Sequence, residues 1–356
     1  MKLSHHNCKK QSQVSRRQFN TALASGTLGL LLKPSIMLGA PESIVVASQG
    51  GSEMEFHKTV NIPRFESQTG VKVKYLIGNH SDRFVKLRSE VPNPTFNVYF
   101  SKYDFVFQAI QLDLLEPVSA DVIPGYDRIA DRFKNEYSAG VVYTAEGILY
   151  NPKIMDKPDS WGVLWDPKYK GKVGLSRFVD RNLMIASLYA TGGERIDAED
   201  EGWEALEELI KKQEAKILPG SEQLGQMFEQ GEVVLTNFWQ ARATTYKRAG
   251  SPVDFSAPKE GAITEHWAYG IPKGTKDELK TLAGQYIGIA ISDESAIAYA
   301  ESAGYPSAKP DVSYPPEFRD TLLTPEEFSQ LKSPDYAWIS AKRDEWTNRW
   351  NKLLTS

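Results

Sequence analysis

Residues 143–176 read YTAEGILYNPKIMDKPDSWGVLWDPKYKGKVGLS. Gly147 to Tyr150 is a short apolar run closed by Asn151-Pro152, a pattern that predicts a buried strand ending in a turn. Lys157-Pro158-Asp159-Ser160 then supplies turn chemistry and a cap for a short helix carrying Trp161, Leu164 and Trp165. Asp166-Pro167 stops that helix, and Lys170-Gly171-Lys172 leads into a new strand from Val173 to Ser176. Taken alone, the stretch is a strand that hands the chain to a new βα segment, and an ordinary βαβ connection has the same pattern.

Tyr150-Asn151-Pro152-Lys153, Ser160-Trp161, Leu164-Trp165-Asp166-Pro167 and Tyr169-Lys170-Gly171-Lys172 together resemble the crossover region of bacterial periplasmic solute-binding proteins of the spermidine/putrescine type. Phe65 to Val73 and Pro258-Lys259-Glu260-Gly261 extend the resemblance over nearly all of the chain from Ile44 to Leu353. It implies an α/β, two-lobed periplasmic-binding-protein-like fold of type II, each lobe a mixed sheet flanked by helices, with the ligand cleft between lobes. The implied division is 1–40 as an export signal, 41–143 with 271–356 as the first lobe including the C-terminal helices, and 144–270 as the second. The chain is expected to cross between lobes near Val142 to Ala145 and near Tyr269 to Pro272.

A length of 356 residues also favours more than one core. With 41% hydrophobic and 25% charged residues the composition is that of an ordinary folded chain, and a net charge of −4 gives no electrostatic case for nucleic acid. Cys8 is the only cysteine, so the body has no thiol for a disulfide, a metal site or a nucleophile. Near the N-terminus, Ser15-Arg16-Arg17-Gln18-Phe19 precedes an apolar run from Ala22 to Leu32, and Leu38-Gly39-Ala40 offers a small-residue cleavage site. This order is that of a twin-arginine export signal, and the run is well short of the roughly 20 residues of a spanning helix. A periplasmic location is therefore expected. Twin-arginine export often accompanies an inserted cofactor, but His57, His80 and His266 lack the spacing of a zinc site, so no cofactor or metal is expected.

Candidate ligand residues lie where strands end, because loops diverge there and leave a crevice. The strand from Asn97 runs to Ser101 and Tyr103, which match the family's Ser-x-Tyr and imply a hydroxyl and an aromatic wall; packing of Tyr103 on the following helix is the plain alternative. Arg177-Phe178-Val179-Asp180-Arg181 occupies a junction that in the family carries acidic residues for ligand ammonium groups. Asp180 fits that role, Arg177 and Arg181 depart from it, and an Arg/Asp pair on a solvated turn explains the same residues. Trp239 ends a further strand, and the resemblance makes it a wall for a cation or alkyl chain. Glu265 and Trp267 give a carboxylate and a ring in the reverse of the family's usual order, and Tyr305 lies in a matching Gly304-Tyr305-Pro306 turn. Trp338, Trp346 and Trp350 are near helical spacing and predict a closing amphipathic helix with its tryptophans in the core.

No Gly-x-Ser-x-Gly elbow, Walker loop, Gly-x-Gly-x-x-Gly fingerprint or His-Glu-x-x-His occurs, which leaves a secreted hydrolase or lyase without a supporting motif. The resemblance instead implies a monomeric component of an ABC importer that passes its ligand to a permease and an ATPase. A linear amine such as putrescine or spermidine is the favoured ligand. An arginine facing the cleft would shift the fit to an amine bearing an acid group, such as γ-aminobutyrate or an aminophosphonate. Ferric iron, carried elsewhere in this fold by adjacent tyrosines, is disfavoured because the chain has no Tyr-Tyr pair.

Overall fold

The computed structural model describes residues 41–355 apart from 52, 53, 55, 56, 219 and 320, so the expected export signal and Cys8 lie outside the described residues. Strand and helix alternate at the start: β1 (Ser43–Ser48), α1 (Ile62–Thr69), β2 (Lys72–Ile77), α2 (His80–Glu90), β3 (Val98–Lys102) and α3 (Tyr103–Gln111). Gly70 ends α1 in the left-handed region at φ 70°, a backbone shape that glycine adopts without strain. A two-residue strand β4 (Lys134–Asn135) precedes the long β5 (Ser138–Tyr150), all thirteen residues of which are buried.

The expected short helix after β5 is a 3₁₀ turn at Trp161–Trp165, capped by the Ser160 side chain accepting from the Gly162 amide. Asp166 does not simply end it. Its carboxylate accepts from the Lys168 amide and caps a second 3₁₀ turn at Pro167–Tyr169. The chain then forms β6 (Val173–Leu175), α4 (Val179–Ala190), α5 (Glu199–Lys211), β7 (Lys216–Ile217), α6 (Ser221–Glu229), β8 (Leu235–Trp239), α7 (Gln240–Arg248), β9 (Asp254–Ser256) and β10 (Ile263–Gly270). Five helices close it: α8 (Asp277–Ala290), α9 (Asp293–Ala303), α10 (Pro316–Arg319), α11 (Pro325–Ser329) and α12 (Tyr336–Thr355).

The hydrogen-bonded strand order is β2-β1-β3-β10-β5-β8-β6-β7, with β4 and β9 both pairing with β5. β2, β1 and β3 are mutually parallel at one end, and β8, β6 and β7 are parallel at the other. Between them lies the antiparallel pair β10 and β5, in register from Ile263 opposite Glu146 to Tyr269 opposite Ala139. Each parallel group needs crossover helices, so two α/β halves meet at this pair.

One strand feeds two cores. Ala139 to Ala145 of β5 pack with Ile44, Val46, Phe100 and Tyr286, whereas Ile148 and Tyr150 pack with Trp161, Leu183, Trp203 and Leu206. Trp346 and Trp350 of α12 are buried in the second of these cores, as their spacing predicts, and Trp346 Nε1 donates to Glu199 Oε1 at 3.0 Å. The expected division places α12 with the first lobe, while its two buried tryptophans lie in the second core. The large apolar rings on one face of the helix have their matching surface on α4 and α5. No helix among the described residues is long and apolar enough to cross a membrane.

Candidate functional site

β3 runs antiparallel to β6 and β8 across the intervening β10 and β5, so the carboxyl ends of these three strands point toward one another along β5, and each is followed at once or within a few residues by a helix: α3, α4 and α7. The first turns of α3 and α4 and the start of α7 bring Lys102, Asp104, Phe105, Phe178, Asp180, Arg181 and Trp239 around one cavity of about 400 Å³. Glu265 from β10, His80 from α2, and Tyr336, Ile339 and Arg343 from α12 complete its wall. The crevice at the carboxyl ends of the strands is where this architecture concentrates ligand contacts.

Buried charge dominates the wall. Arg181 Nη2 donates to Glu265 Oε1 at 2.9 Å, and its Nε lies 3.8 Å from Asp180 Oδ2 and 3.9 Å from Glu146 Oε2. Lys102 Nζ also pairs with Glu265 Oε1. That ammonium lies 5.8, 5.7 and 5.9 Å from the ring centroids of Phe178, Trp239 and Trp267. Burial alone would push the Glu265 carboxyl up, but the Lys102 and Arg181 cations outweigh it and hold Glu265 below its ordinary value. Glu146 has no such excess of cations, and burial pushes it up to about 7 despite Arg181. Burial likewise raises Asp104.

Behind the charges is an amide layer. Asn237 donates to Glu146 Oε1 and to Asn182 Oδ1, each at 2.9 Å, and Asn182 donates to the Ser176 carbonyl at 2.7 Å. On the other side, His80 Nδ1 accepts from Arg83 at 2.9 Å and from the Lys102 amide at 3.3 Å, which leaves its proton on Nε2. Burial holds His80 down at about 3, so the ring is neutral at physiological pH. Arg181 Nη1 and Glu265 Oε2 are buried with no hydrogen-bond partner among the described residues. Orphaned atoms on otherwise well-held groups mark contacts that a bound molecule can complete. The described residues contain no cluster of three or more His, Cys, Asp or Glu able to hold a metal.

Residues 62–325 match the family model of bacterial extracellular solute-binding proteins. The chain belongs to this family. A spermidine/putrescine-binding periplasmic protein of Escherichia coli is 25% identical over 299 residues, 81% of this chain and 82% of the relative. Among solved structures, a spermidine/putrescine ABC transporter substrate-binding protein from Streptococcus pneumoniae superposes with a TM-score of 0.72 at 18% identity, covering 88% of this chain and 99% of that one. A structure described as a GABA receptor gives a TM-score of 0.72 at 23% identity, covering 88% and 97%. The fold is the two-lobed α/β arrangement of type II binding proteins, and the family is one of solute binders, not enzymes.

Of the residues singled out by sequence, the solute-binding protein brings three to the cavity wall: Asp180, Trp239 and Glu265. Trp267 sits one layer beneath as a buried ring under the Lys102 ammonium, and Tyr305 is buried edge-on behind Trp267 at 5.0 Å. Ser101 lies on the opposite face of β3, fully buried, with its hydroxyl 2.9 Å from His80 Nδ1. Tyr103 stacks on His266 at 4.1 Å, accepts from Asn135 at 2.8 Å, and lines a separate hollow with Arg132 and Tyr336. Alternation along β3 is the reason: Ser101 points away from the face that carries Phe100 and Lys102. The arginines also separate. Arg181 faces the cavity, Arg177 lines an adjoining hollow that shares Phe178 and Trp239, and Arg242 lines neither.

Proposed function

We propose that this chain is the periplasmic ligand-capturing component of an ABC importer, and that its cargo is a small molecule bearing both an ammonium and an acid group, of which γ-aminobutyrate is the simplest type. The observation that carries the choice is Arg181, a buried guanidinium in the cavity wall with one nitrogen still unpaired among the described residues. An arginine fork accepts a carboxylate or phosphonate and opposes a second cation. Lys102, Arg181 and Arg343 face Asp104, Asp180 and Glu265 around the cavity, so a ligand with balanced charge leaves the balance intact. The rings of Phe178 and Trp239 would flank its methylenes.

Putrescine or spermidine is the second reading, favoured by the similarity to a spermidine/putrescine-binding relative over most of the chain and by the ring-and-carboxylate set itself. In either case the twin-arginine signal would carry the protein to the periplasm, where a permease and an ATPase would take the ligand. Residues 41–143 with 271–335 would form one lobe and 144–270 with α12 the other, with β5 and β10 as the crossings; ligand should then reduce the radius of gyration in solution scattering. Mass spectrometry of small molecules released by denaturing the purified protein tests the cargo. An unaltered amine bearing an acid group is the expected release. Recovery of polyamines alone would favour the second reading, and a chemically converted product would contradict a transport role.

A further inference from the structure

Lys102 occupies an unusual place for a protein's own side chain. Its ammonium is paired to the Glu265 carboxylate and lies within 6 Å of three ring centroids, the environment that a ligand ammonium would seek. The side chain is 21% exposed, against 3% for Glu265, and its flexible four-carbon stem leads from the end of β3. Other anchors of the site are not free in this way, since Arg181 is held by contacts to three carboxylates.

We propose that Lys102 is a tethered occupant of the ligand's ammonium position, displaced into solvent when a ligand ammonium takes its place over Glu265. The proposal rests on the reading of this cavity as the ligand site. Two physical consequences follow from it. With Lys102 in place, Glu265 retains a second counter-ion beside Arg181, which limits the cost of a buried carboxylate. An incoming ammonium replaces an ammonium and gains little by itself, so selectivity passes to the ligand's other end and its contact with Arg181. The tether thereby sets a threshold against simple amines, a form of discrimination by competition.

Lys102→Ala should open the ring-walled position to an untethered mimic of the lysine side chain. In thermal denaturation, n-butylammonium is expected to stabilise Lys102→Ala at about a tenth of the concentration needed for wild type, because the competitor is gone. n-Butanol should do nothing. Equal responses in the two proteins, or no response in the variant, would overturn the proposal. A measurement on the wild type guards against misfolding of the variant: acetylation of Lys102, followed by peptide mass spectrometry, should accelerate when tetramethylammonium is added, while exposed Lys74 keeps its rate. Unchanged or slower acetylation of Lys102 would also overturn it. If γ-aminobutyrate fails to bind yet n-butylammonium stabilises Lys102→Ala selectively, the cargo assignment falls and the role of Lys102 stands.

Discussion

Two arginine-centred charge clusters in this protein use similar residues in opposite ways. At the surface, Arg128 bonds Asp311 at 2.8 Å and Asp293 at 3.0 Å, with 42%, 53% and 41% of the three side chains exposed. In the interior, Arg181 meets Glu265, Asp180 and Glu146 with only 8% of its side chain exposed, beside a cavity and with one nitrogen unpaired among the described residues. The surface cluster links α9 to neighbouring loops and is screened by water and salt. In the interior cluster the cations outweigh burial at Glu265 but not at Glu146 or Asp104, whose carboxyls burial pushes up, a division of roles expected of a site that binds something else.

The sharpest break of this comparison is a matched pair of substitutions. Arg181→Met removes a buried cation from beside Glu265, Asp180 and Glu146, leaves Glu265 with Lys102 alone, and is expected to lower unfolding free energy in urea by about 3–5 kcal/mol. Arg128→Met should cost no more than about 1 kcal/mol. Similar losses for the two would mean that burial does not distinguish the clusters.

Titration gives the next largest effect. His57, His80 and His266 are each pushed down by burial to about 3, so the unfolded chain binds their protons first and stability falls as pH drops below about 6.5. Glu146, raised to about 7, acts in the opposite sense: its contribution is present at low pH and is lost as pH rises from about 4.5 through 7. Near pH 5 the balance is a net uptake of about two protons on unfolding, or about 2–3 kcal/mol lost per pH unit. Glu146→Gln should steepen that acid limb and raise stability above pH 7, as read from urea midpoints at several pH values. An unchanged profile would contradict a raised Glu146.

Trp239→Ala tests the aromatic side of the interior site. Loss of one ring facing a cation should cost about 0.5–2 kcal/mol, or roughly a 2- to 30-fold weaker amine affinity by calorimetry. The smallest expected effect is on ligand affinity in Arg128→Met, which should match wild type; a shift there would tie the surface cluster to the site.

Much of the fold was legible because its signals are local. The apolar run closed by Asn151-Pro152 and the Trp338, Trp346 and Trp350 spacing each specify an element without reference to distant partners. The site was harder to read. Ser101 and Tyr103 match a motif, but strand alternation turns Ser101 away from the cavity and leaves Lys102, the residue between them, facing it. Glu146 carried a usable signal, the one charged residue in a strand of thirteen. Tyr336, Ile339 and Arg343 carried none, because only packing of α12 on α4 and α5 brings that helix to the cavity.

The most direct test of the central claim is calorimetry on ligand-stripped wild-type protein with γ-aminobutyrate and putrescine, which share a chain length and differ at one end. With Arg181 receiving an acid group, γ-aminobutyrate should bind at least about tenfold more tightly, a difference of about 1.4 kcal/mol. Tighter binding of putrescine, with no heat from γ-aminobutyrate, would contradict the account.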